Sequence, residues 1–287
     1  SCRLLAINLY SYVKNPFTDK AEFDFELFKE HVQKGQKLMD DLIDLEIEKI
    51  EKILEKIESD PEDDEIKRVE KNLWLNIKLK CLEGRRTGFG ITAEGDMLAA
   101  MGLTYGSDEA IDFSVQVHKA LACAAYRSSA IMAKDRGSFP IYDSKLEAKN
   151  PFIQRLKEAD KELYAMMLEY GRRNIALLTI APTGSVSICT QTSSGIEPAF
   201  LVSYKRRRKV NPNDSNATIS FYDKEGQAWE EYNVLHHKFA LWAEINGYDV
   251  KSLEKLPEAE LQEIISKSPY NNATANNINW VNKVKMQ

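Results

Sequence analysis

The residues best suited to chemistry cluster in one stretch, NIALLTIAPTGSVSICTQTSSGIEP, from Asn174 to Pro198. An apolar run of strand length, NIALLTI, ends at Ala181-Pro182-Thr183-Gly184, and a short helix is expected from Ser185. A polar turn between a buried strand and a helix presents free backbone N–H groups and a positive dipole end, which suits a phosphate. Gly184 would let a ligand approach the backbone, and Thr183, Ser185 and Ser187 offer hydroxyl donors. The turn lacks the spacing and the lysine of a P-loop, and an ordinary capped turn is the competing reading. The four cysteines, Cys2, Cys81, Cys123 and Cys189, lie far apart with no C-x-x-C pair, which argues against a disulfide scaffold and a zinc module. Cys2 stands at the mouth of an expected strand, whereas Cys81, Cys123 and Cys189 read as inert thiols buried in apolar helices. His31, His118, His236 and His237 show no metal-ligand spacing and read as structural or surface residues, so no metal site is expected. Gly88-Phe89-Gly90 does not complete a dinucleotide fingerprint, because position 93 is Ala.

The elements that must position these residues alternate between strand and helix. Leu4–Tyr12 reads as a strand, and positions 20–58 as a long helix with Met39, Ile43, Ile47, Ile50, Leu54 and Ile57 on one face. Asp60-Pro61 closes it, and a second helix follows at 63–82 with Gly84 as its cap. Arg86–Thr92 reads as a buried strand punctuated by glycine. Further helices are expected at 95–101, 108–135, 151–170, 227–245 and 257–267. Strands separated by helices imply an α/β class with parallel strands. Three strands cannot close a sheet in a chain of 287 residues, so both ends read as cuts through something larger.

Composition supports a packed core, with 43% hydrophobic and 29% charged residues, and 13 Gly with 9 Pro exclude collagen-like and wholly disordered classes. No apolar run reaches the roughly 18–20 residues of a membrane helix, and a reducing cytoplasm is the expected location. The net charge of −5 is uneven: 13 acidic residues and three lysines fall between Asp40 and Glu65, read as a solvated helix face. Lys205-Arg206-Arg207-Arg208-Lys209 reads first as a solvated or salt-bridged segment and second as an anion patch. An acidic chain without interleaved aromatics argues against nucleic acid as a partner.

Five segments, SCRLLAINL, EGRRTGFGIT with GDMLAAMGL and YGS, KDRGSFPIYD, RRNIALLTIAPTGSVSI and TSSGIEPAF, together with the tail ATANNINWVNKVKMQ, occur in this order and span essentially the whole chain. In this they resemble class II ribonucleotide reductases, the adenosylcobalamin-dependent kind. The resemblance implies a ten-stranded α/β barrel with a thiyl-radical cysteine on a central finger loop. That cysteine removes the 3′ hydrogen of the ribose, the 2′ hydroxyl leaves as water, and a cysteine pair supplies the electrons. By the same resemblance, Cys2 matches one member of the reducing pair, and Pro182, Thr183, Gly184, Ser185, Val186 and Ser187 match the substrate-phosphate turn. The implied partners are a ribonucleoside di- or triphosphate, a dithiol reductant such as thioredoxin, the N-terminal half of the barrel and a second copy in a homodimer. The finger-loop motif Asn-x-Cys-x-Glu and a C-terminal C-x-x-C are absent. Glu94 departs from a small or apolar position, and Cys189 replaces an aliphatic and is expected to pack in the core. The expectation is therefore a single fragment over 1–287, the C-terminal half-barrel, with a helical insert at about 20–82 and a phosphate-turn region at 173–200. It should be inactive alone. The rivals are a non-catalytic nucleotide-sensing or assembly module and the large chain of a class I enzyme.

Overall fold

The computed structural model describes residues 3–211, 213, 214 and 217–287, so Cys2 lies outside the described residues. Strand β1 (Arg3–Asn8) is shorter than the expected Leu4–Tyr12, because Asn8 Oδ1 accepts the Tyr10 N–H at 3.1 Å and turns the chain into a 3-10 helix over Leu9–Tyr12. Two-residue strands β2 (Val13–Lys14) and β3 (Glu22–Phe23) pair antiparallel. Asp24 then caps the helix α1 (Phe25–Ser59) through the Leu27 N–H.

Helix α2 (Asp64–Gly84) returns alongside α1, and Ile43, Ile50 and Cys81 are buried between them with Ile47, Leu54, Trp74 and Ile77. Gly84 is the last helical residue and not the cap. Arg85 takes the left-handed conformation (φ 44°) that ends the helix. Strand β4 (Thr87–Thr92) is buried at every position and pairs with β1. On its other side runs segment 174–180, which is not the regular strand expected but is bonded through Thr87 N to Ala176 O (2.9 Å), Phe89 N to Leu177 O (2.7 Å) and Thr179 N to Phe89 O (3.0 Å). Only Phe89 and Leu178 form a regular parallel bridge. A Cβ on Gly90 would stand 2.3 Å from Thr179 O, so this approach requires glycine.

Helices α3 (Glu94–Ala100), α4 (Asp108–Arg136) and α5 (Ser144–Glu147) follow. The helix expected at 151–170 is two, α6 (Pro151–Ala159) and α7 (Lys161–Tyr170). Asp160 between them is extended, and its carboxylate caps α7 at Leu163 N–H. Beyond α8 (Gly184–Thr190) come β5 (Ser203–Lys209), β6 (Phe221–Tyr222) and β7 (Ala228–Leu235), an antiparallel sheet in the order β5-β7-β6. The expected helix 227–245 is thus a strand followed by α9 (His237–Ile245). The physical reason lies across the sheet: Glu231 pairs with Lys205 and Arg207, and Glu230 with Arg208, so the basic run is salt-bridged. This sheet also corrects the all-parallel expectation. Helices α10 (Val250–Leu253), α11 (Glu258–Ser266) and α12 (Trp280–Met286) complete the chain.

The chain forms two units, one of residues up to Ile7, Asp24–Ile91 and Val115–Pro182, the other of Asn8–Phe23, Thr92–Ser114 and Thr183–Gln287. The first is organised around Asp40, fully buried and bonded to Arg85 Nε and Asn174 Nδ2 (both 2.8 Å), with Arg173 and Arg136 on its other oxygen. The second packs Phe239, Trp242, Leu253, Leu261, Ile265 and Tyr270 with Ala99 and Ala100. No closed barrel forms among the described residues, whose sheets have two, two and three strands. Among them, no helix is long and apolar enough to cross a membrane.

Candidate functional site

Thr183 closes the strand segment and opens α8 with φ −120° and ψ 23°. Its side chain makes no cap. The buried Oγ1 accepts the Gly195 N–H at 2.7 Å and shares hydrogen bonds with Thr92 and Ser194 hydroxyls at 3.0 Å each. Ser187 N donates to Thr183 O at 2.8 Å, the first bond of the helix. The N–H groups of Gly184, Ser185 and Val186 therefore have no acceptor inside α8, and all three residues are exposed. A Cβ added to Gly184 meets nothing within 4 Å. The glycine is not required by packing, and the space beside it is open to a ligand.

The three hydroxyls expected as donors divide. Thr183 holds the turn to its neighbours, Ser187 is buried and donates to Gly184 O at 2.8 Å, and Ser185 is exposed. Pro182 is exposed before the turn, and Val186 is exposed on it. Cys189 is also exposed, which corrects its expected core packing: α8 is two turns long and turns Ser187 inward, leaving Cys189 on its outer side. Cys81 is buried and accepts from Arg3 Nη2 at 2.9 Å, whereas Cys123 is only half-buried, with burial pushing its thiol up.

Gln191 in the left-handed region (φ 55°) ends α8, and the chain returns as Thr192–Pro198. There it borders a cleft of about 920 Å³, a size that suits a nucleotide-sized ligand. Ser187, Thr192, Ser193 and Ser194 form one polar wall, and Phe200, Tyr204, Val234, Leu235 and His236 add apolar and aromatic surface. Glu197 and Lys283, both lining it, pair at 3.0 Å.

A buried carboxylate fixes this wall. Ala93, forced to φ 68° between β4 and α3, starts α3 directly beneath the loop, donating its N–H to Ser193 O at 3.1 Å. Asp96 is fully buried. Its Oδ2 accepts the Ser193 N–H, and its Oδ1 accepts the Tyr270 hydroxyl and contacts His236 Nε2, each at 2.7 Å. Burial first, and then the charge of Asp96, pushes the Tyr270 hydroxyl well above its ordinary range, which keeps it a donor. Glu94 is buried too, with the Ser114 hydroxyl donating to it and its own N–H on Gly195 O at 3.1 Å, which accounts for an acidic residue at that position. The sequence points to a structural or surface role for His236 and does not mark Asp96. They lie 140 positions apart, and no local spacing signals the pair.

The family profile described as "Ribonucleotide reductase, barrel domain" matches residues 1–278. A vitamin B12-dependent ribonucleoside-diphosphate reductase of Thermoplasma acidophilum is 29% identical over 234 residues, 78% of this chain and 24% of that protein. One from Mycobacterium tuberculosis is 30% identical over 123 residues, 42% of this chain and 15% of its own length. A ribonucleoside-diphosphate reductase subunit alpha of Chlamydia pneumoniae is 25% identical over 220 residues, 69% of this chain and 18% of that subunit. The chain thus spans about a quarter or less of these relatives, and the match covers both of its units. On the strength of that near-complete match, the chain belongs to the ribonucleotide reductase barrel-domain family.

Proposed function

We propose that this chain is the part of a ribonucleotide reductase's catalytic barrel that holds the substrate phosphates, with β1, β4 and segment 174–180 as neighbouring barrel strands. The observation that carries this reading is the turn at 183–187: three exposed residues, Gly184, Ser185 and Val186, whose N–H groups have no acceptor inside α8, with open space beside Gly184. The relatives' names support a ribonucleoside diphosphate as substrate. The parent protein makes the deoxyribonucleotide by thiyl-radical chemistry. Cys2, in SCRLLAINL, serves in the reducing pair that a cytoplasmic dithiol such as thioredoxin restores, and the parent acts as a homodimer.

Adenosylcobalamin is the parent's cofactor on this reading and supplies the radical that generates the thiyl. A cleft of about 920 Å³ with a hydroxyl-rich wall fits a nucleotide, not a corrin with its appended groups, so cobalamin contacts are assigned to the rest of the parent protein. The alpha-subunit relative keeps a second reading in view, a class I large chain with a separate radical subunit. A requirement of the parent for adenosylcobalamin separates the two.

Calorimetric titration of the chain with cytidine diphosphate tests the reading. Weak binding without turnover is expected, because much of the substrate cage is contributed by other segments of the parent. Equal affinity for cytidine and its diphosphate would overturn the phosphate role of the turn.

A further inference from the structure

We propose that His236, clamped at Nε2 by the buried Asp96, is an anion ligand in the cleft lined by Ser187 and the loop after α8, and receives a phosphate oxygen of the bound nucleotide. The inference rests on the phosphate reading of the 183–187 turn. A carboxylate buried as fully as Asp96 is costly unless its oxygens are well supplied with donors. The Tyr270 hydroxyl and the Ser193 N–H already supply one donor to each oxygen. The contact with His236 adds a third donor and fixes the ring: with Nε2–H on the Asp96 carboxylate, Nδ1 is the nitrogen left for other use.

His236 lines the cleft with 15% of its side chain exposed, so only part of the ring reaches solvent. The loop that follows α8 lines the same cleft, and the same Asp96 holds that loop through Ser193. One carboxylate thus sets both the imidazole and the loop beside the phosphate turn. Lys283, which also lines the cleft, is paired with Glu197. Only the imidazolium form donates from Nδ1, and an anion seated there beside the Asp96 carboxylate at Nε2 selects that form. A phosphoryl oxygen is the ligand that fits, since the adjoining wall is built of hydroxyls.

The test compares the wild-type chain with His236→Gln and Gly184→Ala. Glutamine reproduces the Nε2 donor to Asp96 but has nothing in place of Nδ1, so it keeps the clamp. We expect H236Q to bind cytidine diphosphate about tenfold more weakly, the scale of one charge-assisted hydrogen bond, with its melting temperature unchanged. In the wild type, the His236 Cε1 proton resonance should shift on adding cytidine diphosphate and stay in place with cytidine, a readout that needs no variant. Wild-type affinity in H236Q together with an unmoved resonance would overturn the role of His236 and leave the turn intact. Loss of binding in H236Q with none in G184A would support His236 and sink the turn. No binding by the wild type would sink both.

Discussion

Gly184 is where a single residue separates a packed turn from a binding turn. Its Cβ position is empty, so Gly184→Ala has room, and alanine in a helix is favoured over glycine by roughly 0.5–1 kcal/mol. We therefore expect G184A to melt at or slightly above the wild-type temperature while its affinity for cytidine diphosphate falls about tenfold, as the methyl group meets the phosphate. Unchanged affinity in calorimetry would make the turn an ordinary cap. Cysteines divide at the same scale. Cys189 is exposed, Cys81 buried, and Cys123 half-buried with its thiol pushed up by desolvation and then by Asp160. A chromogenic disulfide reagent should label Cys189 first among these three, and faster reaction at Cys81, located by peptide mapping, would contradict its burial between α1 and α2.

Among the elements, α1, the end of α2 and segment 174–180 are tied by the Asp40 network. Burial alone would raise the Asp40 carboxyl, but the hydrogen bond and charge of Arg85, with Arg173 and Asn174, hold it below the usual carboxylate range. A depressed value in the fold means that this stabilisation is present above the unfolded value of about 3.9 and is lost as pH falls through the folded one. Acid unfolding should therefore draw on Asp40 below about pH 4. Asp40→Ala strands the buried Arg85 guanidinium and should cost about 3–5 kcal/mol in denaturant unfolding at neutral pH. A loss under 1 kcal/mol would show that Arg85 does not depend on Asp40 for its buried place. The periodicity of α1 and α2 was legible because their apolar positions recur every three or four residues along each helix. Strand β7 was not, because its partner, the basic strand β5, lies some twenty residues upstream and its carboxylates find their role only across the sheet.

For the molecule as a whole, alkaline stability follows from its buried tyrosines. Tyr10 and Tyr12 are pushed up to about 12, chiefly by burial, with the charge of Asp96 adding to Tyr10, and Tyr105 is raised further by burial and Glu94. Groups raised in the fold leave stability intact below the unfolded value near 10 and remove it as pH rises towards about 12. Absorbance at 295 nm should thus show Tyr10, Tyr12, Tyr105 and Tyr270, among twelve tyrosines, ionising late and together with loss of helical circular dichroism. Ionisation of all twelve near pH 10 in a folded chain would contradict that burial.

The family was legible in the sequence, through ordered motifs covering nearly the whole chain, and so was the turn into α8, because those signals are local: an apolar run, a proline, a glycine, a cluster of hydroxyls. The regular strand expected at 174–180 was not found, since that segment makes only one bridge to β4. Tertiary structure alone decided which of the hydroxyls face solvent, that Cys189 is exposed, and that Glu94 is buried against Ser114. It alone brought Asp96, His236 and Tyr270 to one point. The reason is separation along the chain. A buried carboxylate draws its donors from whichever segments pack around it, and residues 96, 193, 236 and 270 become neighbours only after α3, the loop after α8, the start of α9 and the turn after α11 have folded together.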